Sequence, residues 1–234
     1  MSFFGGLAPP LSVAPAAAGA GGGGKPAPQF IAFAAGTGLN SINLAAPSGI
    51  VVGTFMVALI GGGQVGGTAG GSYSTPAGWT IALDDELGNG STGPGNLLVA
   101  TKVAVAGDIG ATFTFTNSHN NNTSIGWVLA YSGTTSLDGT PQMNTGLGTV
   151  ITVPSATVTS PSEILIAWIL GLGATTTPPA PTGMLSRSSG PASGSQPGYQ
   201  VATESVNTSG PTGTKSSSQT NNYWSAGAIL LAPS

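Results

Sequence analysis

The densest run of chemically active side chains in this chain is Asp84-Asp85-Glu86. These three carboxylates, with Asn89 nearby, supply oxygen donors of the kind that hold Ca²⁺ in a loop. Successive side chains of a strand point to opposite faces, so the three converge on one ion only if the chain turns there. A solvated loop is the simpler expectation. The single histidine, His119, sits in Ser118-His119-Asn120-Asn121-Asn122, which reads as a polar hairpin tip. One histidine cannot build a His-based metal site, and a Ser-His-acid triad needs a positioned carboxylate. The nearest acids in sequence, Asp108 and Asp138, belong to no motif. Glycoside hydrolysis needs two carboxylates flanking a sugar, and the seven Asp and Glu residues are scattered. Gly61-Gly62-Gly63-Gln64-Val65-Gly66-Gly67 lacks the Gly-Lys-Ser/Thr ending of a phosphate loop and precedes a β pattern, not a helix. The expectation is a protein that is not an enzyme, with no cofactor and no metal.

Binding chemistry is better represented. Trp79, Trp127, Trp168 and Trp224 sit in or beside strand-like runs. Core packing is the default for such residues. Trp79 and Trp224 lie at turns, and Tyr223 follows Asn221-Asn222, so Trp79, Tyr223 and Trp224 are the candidates for a sugar-stacking platform. Near the N-terminus, Phe3, Phe4, Leu7 and Leu11 are the sizeable apolar groups of an Ala/Gly/Pro-rich stretch over residues 1–28. They are the candidates for contact with a partner. Gly21 to Gly24 read as a flexible linker.

Composition narrows the partners. Charged residues make up 5% of the 234-residue chain and the net charge is -3, with three lysines and one arginine. Nucleic-acid binding needs a clustered basic footprint, so it is not expected. Docking on anionic lipid is not expected for the same reason. Cysteine is absent, which excludes disulfides and thiolate metal sites. With 39 glycines yet 40% hydrophobic residues gathered in strand-length runs, the chain should fold and wet its surface with hydroxyls and amides. Met1 to Gly24 carries no basic residue and is interrupted by Pro9, Pro10 and Pro15, so no signal peptide is read there. The longest apolar runs are about half the ~20 residues that span a bilayer, so no membrane insertion is expected.

The elements that must position these residues are strands. Candidate strands cover residues 30–34, 39–45, 50–60, 79–83, 96–106, 111–116, 124–131, 150–159, 164–172, 184–186, 199–206, 213–218 and 223–231. Thr112-Phe113-Thr114-Phe115-Thr116 alternates strictly, as a strand with one buried face should. Residues 164–170 are apolar on both faces, like a central strand of a sandwich. Gly/Pro/Asn/Ser clusters separate the runs, and no stretch shows sustained helical periodicity. The second half also repeats the first. Val99-Ala100-Thr101-Lys102 recurs as Val201-Ala202-Thr203-Glu204, and Gly126 in one apolar run corresponds to Gly227 in another. Upstream, residues 55–60 and then Thr75-Pro76-Ala77-Gly78-Trp79 resemble residues 164–170 and then Thr177-Pro178-Pro179. Two copies are too few for a solenoid. The expected fold is all-β: a pseudo-symmetric, jelly-roll-like two-sheet sandwich preceded by an extended N-terminal arm. The arm covers residues 1–28 and one domain covers 29–234, built from similar halves at about 40–133 and 150–234.

The order of elements carries a resemblance. Ala46-Pro47-Ser48-Gly49-Ile50-Val51-Val52-Gly53 leads into Met56-Val57-Ala58. Then follow Thr75-Pro76-Ala77-Gly78-Trp79-Thr80, the Lys102-Val103-Ala104 strand, residues 112–116 and Ala130-Tyr131-Ser132-Gly133. The chain closes on Trp224-Ser225-Ala226-Gly227-Ala228 and Leu231-Ala232-Pro233. Over about residues 40–233 this resembles β-sandwich modules of tailed-phage virion proteins, also found in bacterial surface proteins. The second copy departs at Ala180-Pro181-Thr182-Gly183-Met184, where no tryptophan answers Trp79. The resemblance implies a structural virion protein, such as a capsid-surface decoration, vertex or short-spike protein. Its arm would bind other capsid or tail proteins, and its subunits would form a homo-oligomer. The alternative is a tail-fibre or tail-tip adhesin that binds a host-surface glycan.

Overall fold

The structure, a computed structural model, describes residues 25–63, 72–85, 97–118, 123–171, 177–192 and 196–234. The described chain is antiparallel β throughout, apart from one short 3-10 turn at Ala106–Asp108. The first half supplies β1 (Gln29–Leu39), β2 (Ser41–Ala45), β3 (Phe55–Gly63), β4 (Tyr73–Ser74), β5 (Thr80–Asp85), β6 (Leu97–Val103), β7 (Thr112–Asn117) and β8 (Thr123–Ser132). The second half supplies β9 (Leu137–Val153), β10 (Thr157–Val158), β11 (Glu163–Gly171), β12 (Leu185–Gly190), β13 (Gly198–Val206), β14 (Gly210–Pro211) and β15 (Lys215–Leu231).

Each half builds one five-stranded sheet, in the orders β1-β8-β3-β6-β5 and β9-β15-β11-β13-β12. The orders match strand for strand. The registers match as well: Phe55 pairs with Val103 and Tyr131, as Ile164 pairs with Ser205 and Leu231. In this register Trp127 corresponds to Gly227, one position away from the sequence-based match of Gly126 with Gly227. A slip of one residue would move every side chain of the strand to the opposite face. The Thr75-to-Trp79 turn is answered by residues 180–184 rather than by Thr177-Pro178-Pro179. Trp79 N–H donates to Pro76 O and Met184 N–H to Pro181 O, while Gly78 and Gly183 share a positive φ. Buried Met184 thus takes the place of buried Trp79.

The two sheets face each other across a central core that includes Phe55, Leu59, Trp127, Tyr131, Ile166, Trp168 and Ile229. Phe30 at the β1 edge meets Arg187 of β12, and β5 lies against β9 at the other edge. These contacts exchange when the halves are swapped, as a two-fold axis along the strands requires. Each sheet is covered on its outer face too. The three-stranded sheet β2-β7-β4 closes a second core around Trp79, Phe113, Phe115 and Met56. In the second half, β9 and β15 are each 17 residues long and run on into the outer layer, where Ile151, Val153 and Trp224 pack. Alternate side chains of the central strands therefore feed different cores. That is why residues 164–170 are apolar on both faces: all of them are buried.

Several boundaries differ from the sequence expectation. Residues 39–45 are broken at Asn40, whose φ of 64° lets the chain cross from one sheet to the outer one. The strand expected from residue 50 starts at Phe55, after a turn. Residues 137–149 form an edge strand that had no expectation at all.

Candidate functional site

Trp79 is buried, with its ring edge-on to Phe113 and Phe115 at centroid distances of 5.1 and 5.4 Å. Trp224 is buried in the second outer core against Gly146, where an added Cβ would strike its ring. Both rings serve packing, which corrects the expectation of a sugar platform. The two also lie in different outer cores, separated by the two central sheets. Tyr223 is half-buried, with its N–H held by Asn222 Oδ1 at 2.7 Å. Asp84 and Asp85 end β5, and Asp84 Oδ2 accepts the Tyr73 N–H at 3.1 Å. Phe3, Phe4, Leu7, Leu11, Glu86, Asn89 and His119 lie outside the described residues.

The fold has two unlike poles. Gln29 pairs with Ser132, the Ala27 carbonyl packs against Gly133, and Ser234 N–H donates to Gly133 O at 2.9 Å. Both ends of the described chain therefore meet at one pole. The turns at residues 50–54, 104–111 and 159–163 stand at the same pole. At the opposite pole Gly63 pairs with Thr123, Asp85 with Leu97 and Gly171 with Gly198.

The titratable chemistry that sequence reading missed is at the terminal pole. Glu163 is fully buried, and its Oε1 accepts the N–H groups of Ser160 (2.7 Å) and Thr159 (3.1 Å). Its carboxyl lies against Asp138, whose Oδ2 accepts Thr159 Oγ1 (2.7 Å) and Thr159 N–H (3.0 Å). Burial, the Asp138 hydrogen bond and the Asp138 charge outweigh the Ser160 N–H and push Glu163 up to about 7. For Asp138, burial works upward, but the Thr159 hydroxyl, the Glu163 carboxyl and the Thr159 N–H outweigh it and hold it below the ordinary range. The two groups thus share one proton near neutrality. Thr54 holds the equivalent place in the first half, where its Oγ1 accepts Val51 N–H at 3.0 Å. Glu163 therefore does with a carboxyl what Thr54 does with a hydroxyl. Separation in sequence hid the pair: residues 138 and 163 carry no joint signal until β9 is placed two strands from β11.

A cleft of about 220 Å³ opens beside this pair, lined by Asp138, Gly139, Thr140, Gln142, Ser155 and Thr157 among others. Asp138 reaches it, whereas Glu163 is behind the wall. Glycosidase carboxyls stand roughly 5–9.5 Å apart with a sugar or water between them. Two carboxyls in contact leave no such space, so the geometry suits a proton-sharing lock on the Thr159–Glu163 turn. Among the described residues no group of three or more metal-ligating side chains converges. An ion pair of opposite charges, Lys102–Asp108 at 2.6 Å, is largely buried under the loop after β6. Comparison of the chain with protein-family models, curated proteins and solved structures finds no match.

Proposed function

We propose that this chain is a non-enzymatic structural protein of a bacteriophage virion, a capsid-surface decoration, vertex or short-spike subunit held by its N-terminal arm. The observation that carries the reading is the shared pole: both ends of the described chain leave the sandwich beside loops bearing exposed Val51, Val52 and Ile109. An arm and an apolar surface at one end suit a module fixed at that end and projecting the other. The near-absence of charge fits packing against like subunits, and the element order resembles virion sandwich modules. The adhesin alternative keeps Tyr223 alone as a part-exposed aromatic, since Trp79 and Trp224 are in the cores.

The test is to purify tailed particles from lysate containing the chain and to measure its copy number by mass spectrometry across a density gradient. A fixed stoichiometry that follows intact particles is expected. Recovery only in the soluble fraction would sink the reading. Loss of host binding without loss of the particle, on changing Tyr223, would favour the adhesin.

A further inference from the structure

Among the described residues every sheet draws its strands from one half of the chain, and no strand ladder crosses between the halves. What crosses is side-chain packing. The central core takes Phe55, Leu59, Trp127 and Tyr131 from the first half and Ile166, Trp168 and Ile229 from the second. At its rim Trp127 Nε1 donates to Ser188 Oγ at 3.0 Å, and the Arg187 guanidinium lies 4.2 Å from the centre of the Phe30 ring. At the other edge Asp85 of β5 and Met143 and Thr145 of β9 line one cleft. The covalent join between the halves is short. It is residues 133–136, between Ser132 at the end of β8 and Leu137 at the start of β9.

Each half is thus a hydrogen-bonded unit with one large apolar face, and the cover of that face is the other half. A second copy of the chain carries the same cover. When the halves of one chain separate, the ladders stay whole and the central faces meet water, which is unfavourable. Two opened chains bury those faces again by closing crosswise, first half on second half, and every contact between halves is remade. The closed monomer and the crossed dimer then differ in the linker and in the freedom lost on association. The linker opens without breaking a ladder. Gly133 O accepts Ser234 N–H at 2.9 Å and Ser136 O accepts Ala232 N–H at 3.3 Å, so two backbone bonds fasten it. Gly133 sits at a φ of 70°, and a glycine moves from there to an extended conformation at no steric cost. Short hinges favour such an exchange.

We propose that two copies of this chain exchange halves about residues 133–136, so that the Trp127 face of each closes on the Trp168 face of the other. The crossed dimer goes beyond the virion reading; either can fail without the other. The test refolds the full chain from urea over a range of protein concentrations and reads its mass by light scattering. A dimer fraction that grows several-fold with concentration and survives later dilution is expected. Crosswise pairing is read separately. The chain has no cysteine, so exposed Asp85→Cys and Thr145→Cys are unique labels when placed on separate chains with tags of different length. Refolded together and treated with a short bismaleimide, the two chains should become linked in the dimer fraction. A monomer at every concentration would overturn the proposal. So would a dimer with no link between positions 85 and 145 of different chains, which would make it a contact between closed monomers.

Discussion

Glu163 and Thr54 occupy one place in two copies of the same turn, yet only one of them titrates. Glu163 lies at about 7 in the fold against an ordinary 4.5. Below 4.5 it is neutral in the folded and unfolded chain, so the stability it contributes is fully present. That contribution is lost as pH rises through about 7, because the unfolded carboxyl ionises freely and the buried one does not. Asp138 runs the other way: its folded value is lowered, so its contribution is present above the ordinary value and lost on strong acidification. The melting temperature should therefore be highest near pH 4.5, decline as pH rises to about 7 and level off above it. Glu163→Gln should remove that decline in thermal melts, while Asp138→Asn should remove the pair's share of the acid loss. An unchanged slope between pH 4.5 and 7 in Glu163→Gln would show that the pair shares no proton. The Lys102–Asp108 pair has a different signature. For Asp108, burial works upward, but the Lys102 ammonium and the Val105 N–H outweigh it and keep the carboxyl low. Lys102→Met strands that carboxylate and should cost about 3 kcal/mol in denaturant melts. Lys102→Met/Asp108→Asn should cost less than Lys102→Met alone, because no buried charge is then left unpaired.

At the scale of strands, the two halves fill their shared core with unlike pairs. Leu59 stands opposite Trp127 in the first sheet, and Trp168 stands opposite Gly227 at the equivalent places of the second. A Cβ on Gly227 would land on the Trp168 ring. Gly227→Ala should therefore destabilise by roughly 1–3 kcal/mol through overpacking. Trp168→Leu in the same chain should recover part of that loss, and a double-mutant cycle in urea would read the coupling. Additive losses would mean that the ring and the glycine are not in contact. The edge strand β9 shows why one element had no sequence expectation. Its first thirteen residues include Pro141, Gly139, Gly146 and Gly148, which a central strand would exclude. An edge strand bonds on one side only, so it tolerates them.

For the whole molecule, the central core belongs to neither half alone. Trp127, Leu129, Trp168 and Ile166 are buried only because the sheets face each other. Unfolding should be a single transition. Trp168→Ala, which costs about 3–5 kcal/mol in a packed core, should lower hydrogen-exchange protection in β3 as much as in β11. Protection that falls in β11 alone would mean two independent units. A chain ending at residue 136 exposes the Trp127 face. The near two-fold relation of the halves predicts that it dimerises through this face, and a stable monomer in light scattering would refute this.

The sequence alone determined the all-β class, the repeat and the near-absence of charge, because period-two patterning, turn residues and composition are local properties. It also placed most strands: Thr112 to Thr116 alternates because one face of β7 meets Trp79 and its neighbours. Tertiary structure alone decided the rest. Whether Trp79 and Trp224 meet solvent depends on a layer supplied by strands distant in sequence, and these rings turned out to be core. The one-residue difference in the match of Gly227 is settled only by the hydrogen-bond ladder. The Asp138–Glu163 pair and the valine loops beside the chain ends exist as sites only after folding, since their members are drawn together by sheet pairing and not by spacing along the chain.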